Sequence, residues 1–311
     1  MRSTLPMALA GQCDDVAMTI DALLHTGPVV LDGGFSTALE ARGHDLSGSL
    51  WSARLLRQAP SEIVAAHRTF VDAGAEIVIS ASYQASYAGY VAAGLTEQDC
   101  DADLDASIGL ARQAADGRAL VAASVGPYGA HLADGSEYTG YPDVSRATLR
   151  EFHSRRLERL VAASPDLVAV ETIPEVTEAE VVVELLSEVA PRLPYWVSFS
   201  ATGGARLTGG APFAEAIDVV RGAAVAVGVN CTAPQHIDEL LQAGDPSVPY
   251  VIYPNAGATY DPDSKTWTED GSAHFAPTTV QRWNDLGARF IGGCCGIGAD
   301  GIREIAGAVR A

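Results

Sequence analysis

Positive charge is what this sequence has least of for its size. Twenty Lys and Arg stand against 39 Asp and Glu, a formal net charge of −19. Phosphate binding needs a basic face, and with no Lys/Arg cluster to supply one the composition excludes nucleic acid as a partner. Long apolar runs are missing too. None approaches the roughly 18 residues needed to cross a bilayer, so no membrane partner is expected. The opening MRSTLPMALAGQC carries one early positive charge and a short apolar stretch broken by Gln12, Asp14 and Asp15, which makes a poor signal peptide. Residues 1–27 read as a loose leader followed by a helix. Cysteine is scarce, five residues in 311, an odd number spaced unlike the paired framework of a small secreted fold. Reduced thiols in the cytoplasm fit better. Cys13 and Cys100 lie in the leader and in a helix-like segment and read as incidental.

What is abundant is apolar material, 48% against 19% charged residues, enough for a large core and little disorder. It is arranged in eight short runs separated by amphipathic stretches: PVVLDGG (28–34), EIVISAS (76–82), ALVAASVGP (119–127), DLVAVETIP (166–174), YWVSFSA (195–201), AAVAVGVNC (223–231), PYVIYPNAG (249–257) and ARFIGGCCG (288–296). Continuous rather than alternating apolar runs are the mark of parallel strands covered on both faces. Between them PSEIVAAHRTFVDAG opens with Pro60 and Ser61 and closes at Gly74. VSRATLREFHSRRLERLVAAS keeps charged and apolar faces apart at helical spacing. Eight such units close into a single (β/α)8 barrel of the α/β class. No linker divides the chain, so residues 28–311 read as one catalytic domain.

In such a barrel the functional positions lie at the C-terminal strand ends. Here they are Asp32-Gly33-Gly34-Phe35, Glu171-Thr172, Asn230-Cys231-Thr232, Asn255 and Gly292-Gly293-Cys294-Cys295-Gly296. Three cysteines thus fall at one end of the barrel, on the sixth and eighth strands. Thiolates brought together repel one another unless a soft cation neutralises them, and zinc is the default. Three protein ligands with an open fourth position is the count of a catalytic zinc site, and the flanking glycines permit the unusual backbone that adjacent ligands need. A tris-thiolate zinc activates water weakly but accepts an incoming thiol, which it holds as thiolate near neutral pH. That favours alkylation of a thiol, a reaction that needs no further general acid or base. Asp32 and Glu171 then read as binders, an amino-acid substrate offering them an ammonium. Phe35 or Tyr83 can sit against a sulfonium charge, or simply pack. The irregular stretches 128–144 and 257–278 follow strands and are candidate lids. A thiol redox or metal sensor cycling a Cys294–Cys295 disulfide is the non-enzymatic alternative, and a phosphate site in the glycine run is disfavoured by its two cysteines.

The segments DGGFSTALEARG, SYQAS, ETIPE, SFSATGGARLTGG, GVNCTAP, YPNAG and GGCCG, in this order from about residue 28 onward, make the chain resemble the homocysteine S-methyltransferase family. The resemblance implies that Cys231, Cys294 and Cys295 bind zinc and that Asp32 and Glu171 hold the homocysteine amino group and neighbouring polar atoms. Gly33, Phe35 and Tyr83 stand beside them as substrate-side positions, with Asn230 and Asn255 in support. The compact form, with no appended module, is most similar to the branch whose methyl donor is S-methylmethionine or S-adenosylmethionine. Another thiol or a selenol, selenohomocysteine or selenocysteine, is the alternative acceptor.

Overall fold

Each of the eight apolar runs forms a parallel strand. In the computed structural model, which describes residues 20, 22–46, 50, 52–245, 247–257, 260–261, 266–267 and 274–311, they are β1 (Val29–Val30), β2 (Ile77–Ile79), β3 (Leu120–Val125), β4 (Leu167–Ile173), β5 (Tyr195–Phe199), β6 (Ala226–Asn230), β7 (Tyr250–Tyr253) and β8 (Ala288–Ile291). Hydrogen bonding runs β1-β8-β7-β6-β5-β4-β3-β2, and a parallel bridge between Leu31 and Ile77 joins the ends of the series. The sheet is therefore a closed barrel, as the run count predicts, and closure leaves no edge to aggregate.

Local chemistry sets the surrounding helices. Pro60 starts Pro60–Ala73 at the first helical position, and Gly74 ends it at φ 108°, a left-handed turn that a side chain would strain. Thr96 and Asp99 form a reciprocal capping box at the start of Glu97–Ala115, and the Ser145 side chain caps Arg146–Ala162 through the Thr148 amide. In that last helix the expected separation of faces is incomplete. Arg146, Arg150 and Arg155 reach outward to Glu180, Glu188 and Glu97, but His153 and Arg156 are buried. Arg156 is tolerated there because its guanidinium donates to the carbonyls of Gly126, Ser82 and Tyr83 at 2.7–2.9 Å, replacing lost water. Cys100 is buried and unpaired inside Glu97–Ala115, while Cys13 lies outside the described residues.

Inside the barrel, Val29, Leu31, Ile77, Ala122, Leu167, Ala169, Trp196, Ala226, Val251 and Phe290 form one apolar cluster. Residues 22–26 are helical, and Ile20, Leu23 and Leu24 join this cluster, so the end of the leader packs onto the barrel interior. Stretch 128–144 contains a helix, Tyr128–Leu132, and a 3₁₀ turn, Ser136–Tyr138. Stretch 257–278 falls largely outside the described residues; Tyr260–Asp261 pairs antiparallel with Thr266–Trp267. Among the described residues no helix is long and apolar enough to cross a membrane.

Candidate functional site

A strand that points Ala169 into the barrel must point Glu171 the same way one pleat higher, because side chains alternate with period two. The same logic carries Ala122 to Ser124, Trp196 to Ser198 and Val251 to Tyr253. At this level the interior turns polar, and it opens into a cleft of about 710 Å³ including its solvent-facing part. Asp32, Gly33, Phe35, Tyr83, Glu171 and Asn230 line it, together with all three cysteines of the sixth and eighth strand ends.

The sulfurs meet. Cys231, Cys294 and Cys295 bring their Sγ atoms within 4.8 Å of one another. Cys231 and Cys294 are joined as a disulfide with Cα atoms 5.5 Å apart, and the Cys295 Sγ lies 3.6 Å from the first and 3.9 Å from the second. A vicinal Cys294–Cys295 bridge was the pairing expected of a sensor, and the structure makes the other one. Adjacent Cα atoms sit only about 3.8 Å apart, short of the roughly 4.4 Å a disulfide normally spans. The triad also passes a metal test. Tetrahedral zinc with sulfur at about 2.3 Å sets its ligands about 3.8 Å apart, the spacing Cys295 already keeps to both partners. Once the Cys231–Cys294 bond is reduced and its sulfurs separate, the three thiols can hold one ion.

Backbone geometry aims these sulfurs. Cys231 sits at φ 45°, a left-handed conformation that strains a residue with a Cβ by roughly 1–3 kcal/mol. It is held there by its amide on the Tyr253 carbonyl and by Asn255 Nδ2 donating to its own carbonyl at 3.1 Å. Asn255 thus stands behind the cleft wall. Gly296, at φ 82°, turns the chain after the cysteine pair and donates to Thr37 Oγ1 at 2.9 Å. The Cys294 amide donates to the Pro254 carbonyl and the Gly293 amide to the Asp32 carbonyl, tying the sulfurs to the carboxylate side.

Across the cleft, Asp32 accepts a hydrogen bond from the Ile79 amide at 2.8 Å. Burial, with the nearby Glu171 charge adding to it, holds its carboxyl well above the usual range. Glu171 accepts from Ser124 Oγ and the Tyr253 hydroxyl, yet burial still pushes it up to about 7. Thr172 takes a second strained conformation, φ 61°. Asn230 holds it there, accepting from the Thr172 amide and donating to Thr172 Oγ1, both at 2.7 Å. The Tyr83 phenol is hydrogen-bonded to Thr172 in turn. Phe35 lines the cleft and stacks on His67, ring centroids 4.3 Å apart; burial keeps that imidazole neutral, its pKa lowered to about 3.

The sequence reading passed over Ser124, Ser198, Tyr253 and Tyr138. Ser124 and Ser198 had a signal, a polar residue at the inward register of an apolar strand. Tyr138 had only the regional one, its place in the candidate lid 128–144; its hydroxyl donates to Cys231 Sγ at 3.7 Å.

The chain matches the model of a family described as homocysteine S-methyltransferase over residues 29–309. It is 40% identical over 309 residues to the homocysteine S-methyltransferase YbgG of Bacillus subtilis, covering 94% of this chain and 98% of that one. It is 39% identical over 305 residues to a selenocysteine Se-methyltransferase of Brassica oleracea var. italica, covering 90% and 88%. The crystal structure of the Escherichia coli homocysteine methyltransferase MmuM in metallated form superposes with a TM-score of 0.82 at 38% identity, covering 92% of this chain and 98% of that one. Its oxidized form gives 0.80 at 37% identity, covering 90% and 95%.

Proposed function

The chain belongs to the homocysteine S-methyltransferase family, and from that premise we propose that it moves a methyl group from S-methylmethionine or S-adenosylmethionine to the thiol of homocysteine, giving methionine. The observation that carries this reading is the convergence of Cys231, Cys294 and Cys295 in a cleft that carboxylates also line. In the proposal these three cysteines hold zinc as thiolates, which needs the reduced state and so a reducing compartment such as the cytoplasm. When bound, the ion would supply the positive charge that keeps the acceptor sulfur ionised near neutral pH.

The chain's own residues then do three things. Asp32 and Glu171 grip the acceptor ammonium; desolvated carboxylates gain strongly from a cation that arrives to pair with them. Asn230 fixes Thr172 and through it the Tyr83 phenol, so that Tyr83 and Phe35 present aromatic surface to the donor's sulfonium. Tyr253, Ser198 and Ser124 hold Glu171 in place from below. The acceptor thiolate forms a bond to the methyl carbon as the carbon–sulfonium bond breaks, its electron pair leaving on the thioether. No proton moves, so positioning is the main contribution required of the protein. Residues 28–311 act as one catalytic domain.

The test is methionine formation by the reduced, zinc-loaded protein from homocysteine, with S-methylmethionine, S-adenosylmethionine and betaine offered in parallel and selenocysteine as a competing acceptor. Turnover with a sulfonium donor and near one zinc per chain is expected. Failure with all three donors, or a stoichiometric metal analysis finding none, would sink the reading. Preference for selenocysteine would move the acceptor toward the activity named for the Brassica relative.

A further inference from the structure

Glu137 is a third buried carboxylate, next in the chain to the cleft-lining Tyr138, and one of its oxygens is sealed from solvent without a partner. The residue is 2% exposed, and its Oε2 is buried with no hydrogen bond. Its own backbone amide is the one group that favours ionisation, while burial and Asp134 oppose it, leaving the carboxyl raised to about 7. No basic side chain is among the groups acting on it. Burying such a group is unfavourable unless something arrives to complete it.

Its place is fixed. Glu137 lies in the 3₁₀ turn Ser136–Tyr138. Its carbonyl accepts from Ser200 Oγ, just past β5, at 2.8 Å, and Gly129 packs so closely on its amide that a Cβ there would come within 2.7 Å. The next residue, Tyr138, lines the cleft and reaches the Cys231 sulfur. The Glu137 charge is itself close enough to raise the Tyr83 phenol and the Cys295 thiol.

We propose that Glu137 binds the cationic methyl donor, its free carboxylate oxygen pairing with the positive charge that the sulfonium substrate brings into the cleft. The inference rests on the methyltransferase reading and extends it to the donor side. Asp32 and Glu171 already have protein partners and suffice for the acceptor's single ammonium. A sulfonium amino acid brings two positive charges of its own, and Glu137 is the buried carboxylate left to meet one of them. It is a specificity determinant, selecting a cationic donor over a neutral one.

The experiment compares wild type with Glu137→Gln, which keeps shape and removes charge, and with Glu137→Asp. Donor KM and homocysteine KM are measured separately, the affinity for S-methylmethionine is taken by calorimetry without turnover, and thermal unfolding is followed alongside. In E137Q the donor KM and calorimetric Kd should rise roughly 10- to 100-fold, the loss of one charge-assisted pair. The homocysteine KM should stay within about twofold, and E137D should recover part of the donor affinity. Melting at pH 8 should be unchanged or higher in E137Q, because a desolvated charge has gone; a purely structural role would lower it. Unchanged donor affinity, or both KM values rising together, would overturn the assignment. A wild type that binds S-methylmethionine tightly but makes no methionine would strike the activity and leave the E137Q binding comparison to decide Glu137.

Discussion

The two ends of this barrel are built from the same strands and do opposite work. At the lower end the inward side chains are Leu167, Ala169, Trp196, Ala226, Val251 and Phe290, all buried and apolar, closed off by Ile20 with Leu23 and Leu24 packed against them. Higher on the same barrel the inward positions become Ser124, Glu171, Ser198, Asn230 and Tyr253, with the three sulfurs beside them. The lower layers hold the fold together by removing apolar surface from water. The upper layer is costly to fold: it buries carboxylates raised out of their usual range and holds Thr172 and Cys231 at positive φ. Strain and desolvation concentrated at one end of a well-packed scaffold are what a binding site looks like before its ligand arrives.

That contrast can be broken by experiments that touch one end at a time. The largest effect is expected from Cys294→Ser, which should abolish stoichiometric zinc binding and lower methyl transfer by more than about 100-fold. With both proteins reduced, so that no Cys231–Cys294 bond contributes, the metal-free variant should unfold within about 1 kcal/mol of the metal-free wild type, as expected for a change remote from the packing layers. A collapse of metal-free stability in denaturant would show that the sulfurs belong to the core. Next comes Phe290→Ala at the lower end, which should destabilise by about 3–5 kcal/mol in urea titration. Its folded fraction should keep near one zinc per chain, and loss of the metal would mean the two ends are coupled.

The smallest effect concerns Glu171 and depends on pH. Its carboxyl is raised to about 7 in the fold against about 4.3 in an unfolded chain. The folded state therefore holds the proton more tightly, and the advantage this gives is complete below the unfolded value and lost as pH rises toward 7. Between pH 4.5 and 7 the ligand-free wild type should lose up to roughly 3 kcal/mol relative to Glu171→Gln. Parallel stability curves over that window would mean that Glu171 is solvated and no different from a surface carboxylate.

Much of this was legible in the sequence because periodicity is a local property. Eight apolar runs bounded by Gly, Pro and Asp specified eight strands, and all eight formed. GVNC and GGCC stood at the C-terminal ends of two of them, so closing the barrel was enough to bring their sulfurs together. The buried face of Arg146–Ala162 was misjudged because Arg156 looks like any surface arginine until the carbonyls of Gly126, Ser82 and Tyr83 surround it.

The sequence by itself determined the barrel, the strand ends and which three sulfurs converge there, because side-chain alternation and turn chemistry act over a few residues. Only the tertiary structure decided which polar groups are satisfied and which are left waiting. Glu137 and Tyr138 belong to a loop with no periodic signal, and whether a buried carboxylate finds a partner depends on atoms dozens of residues away in the chain.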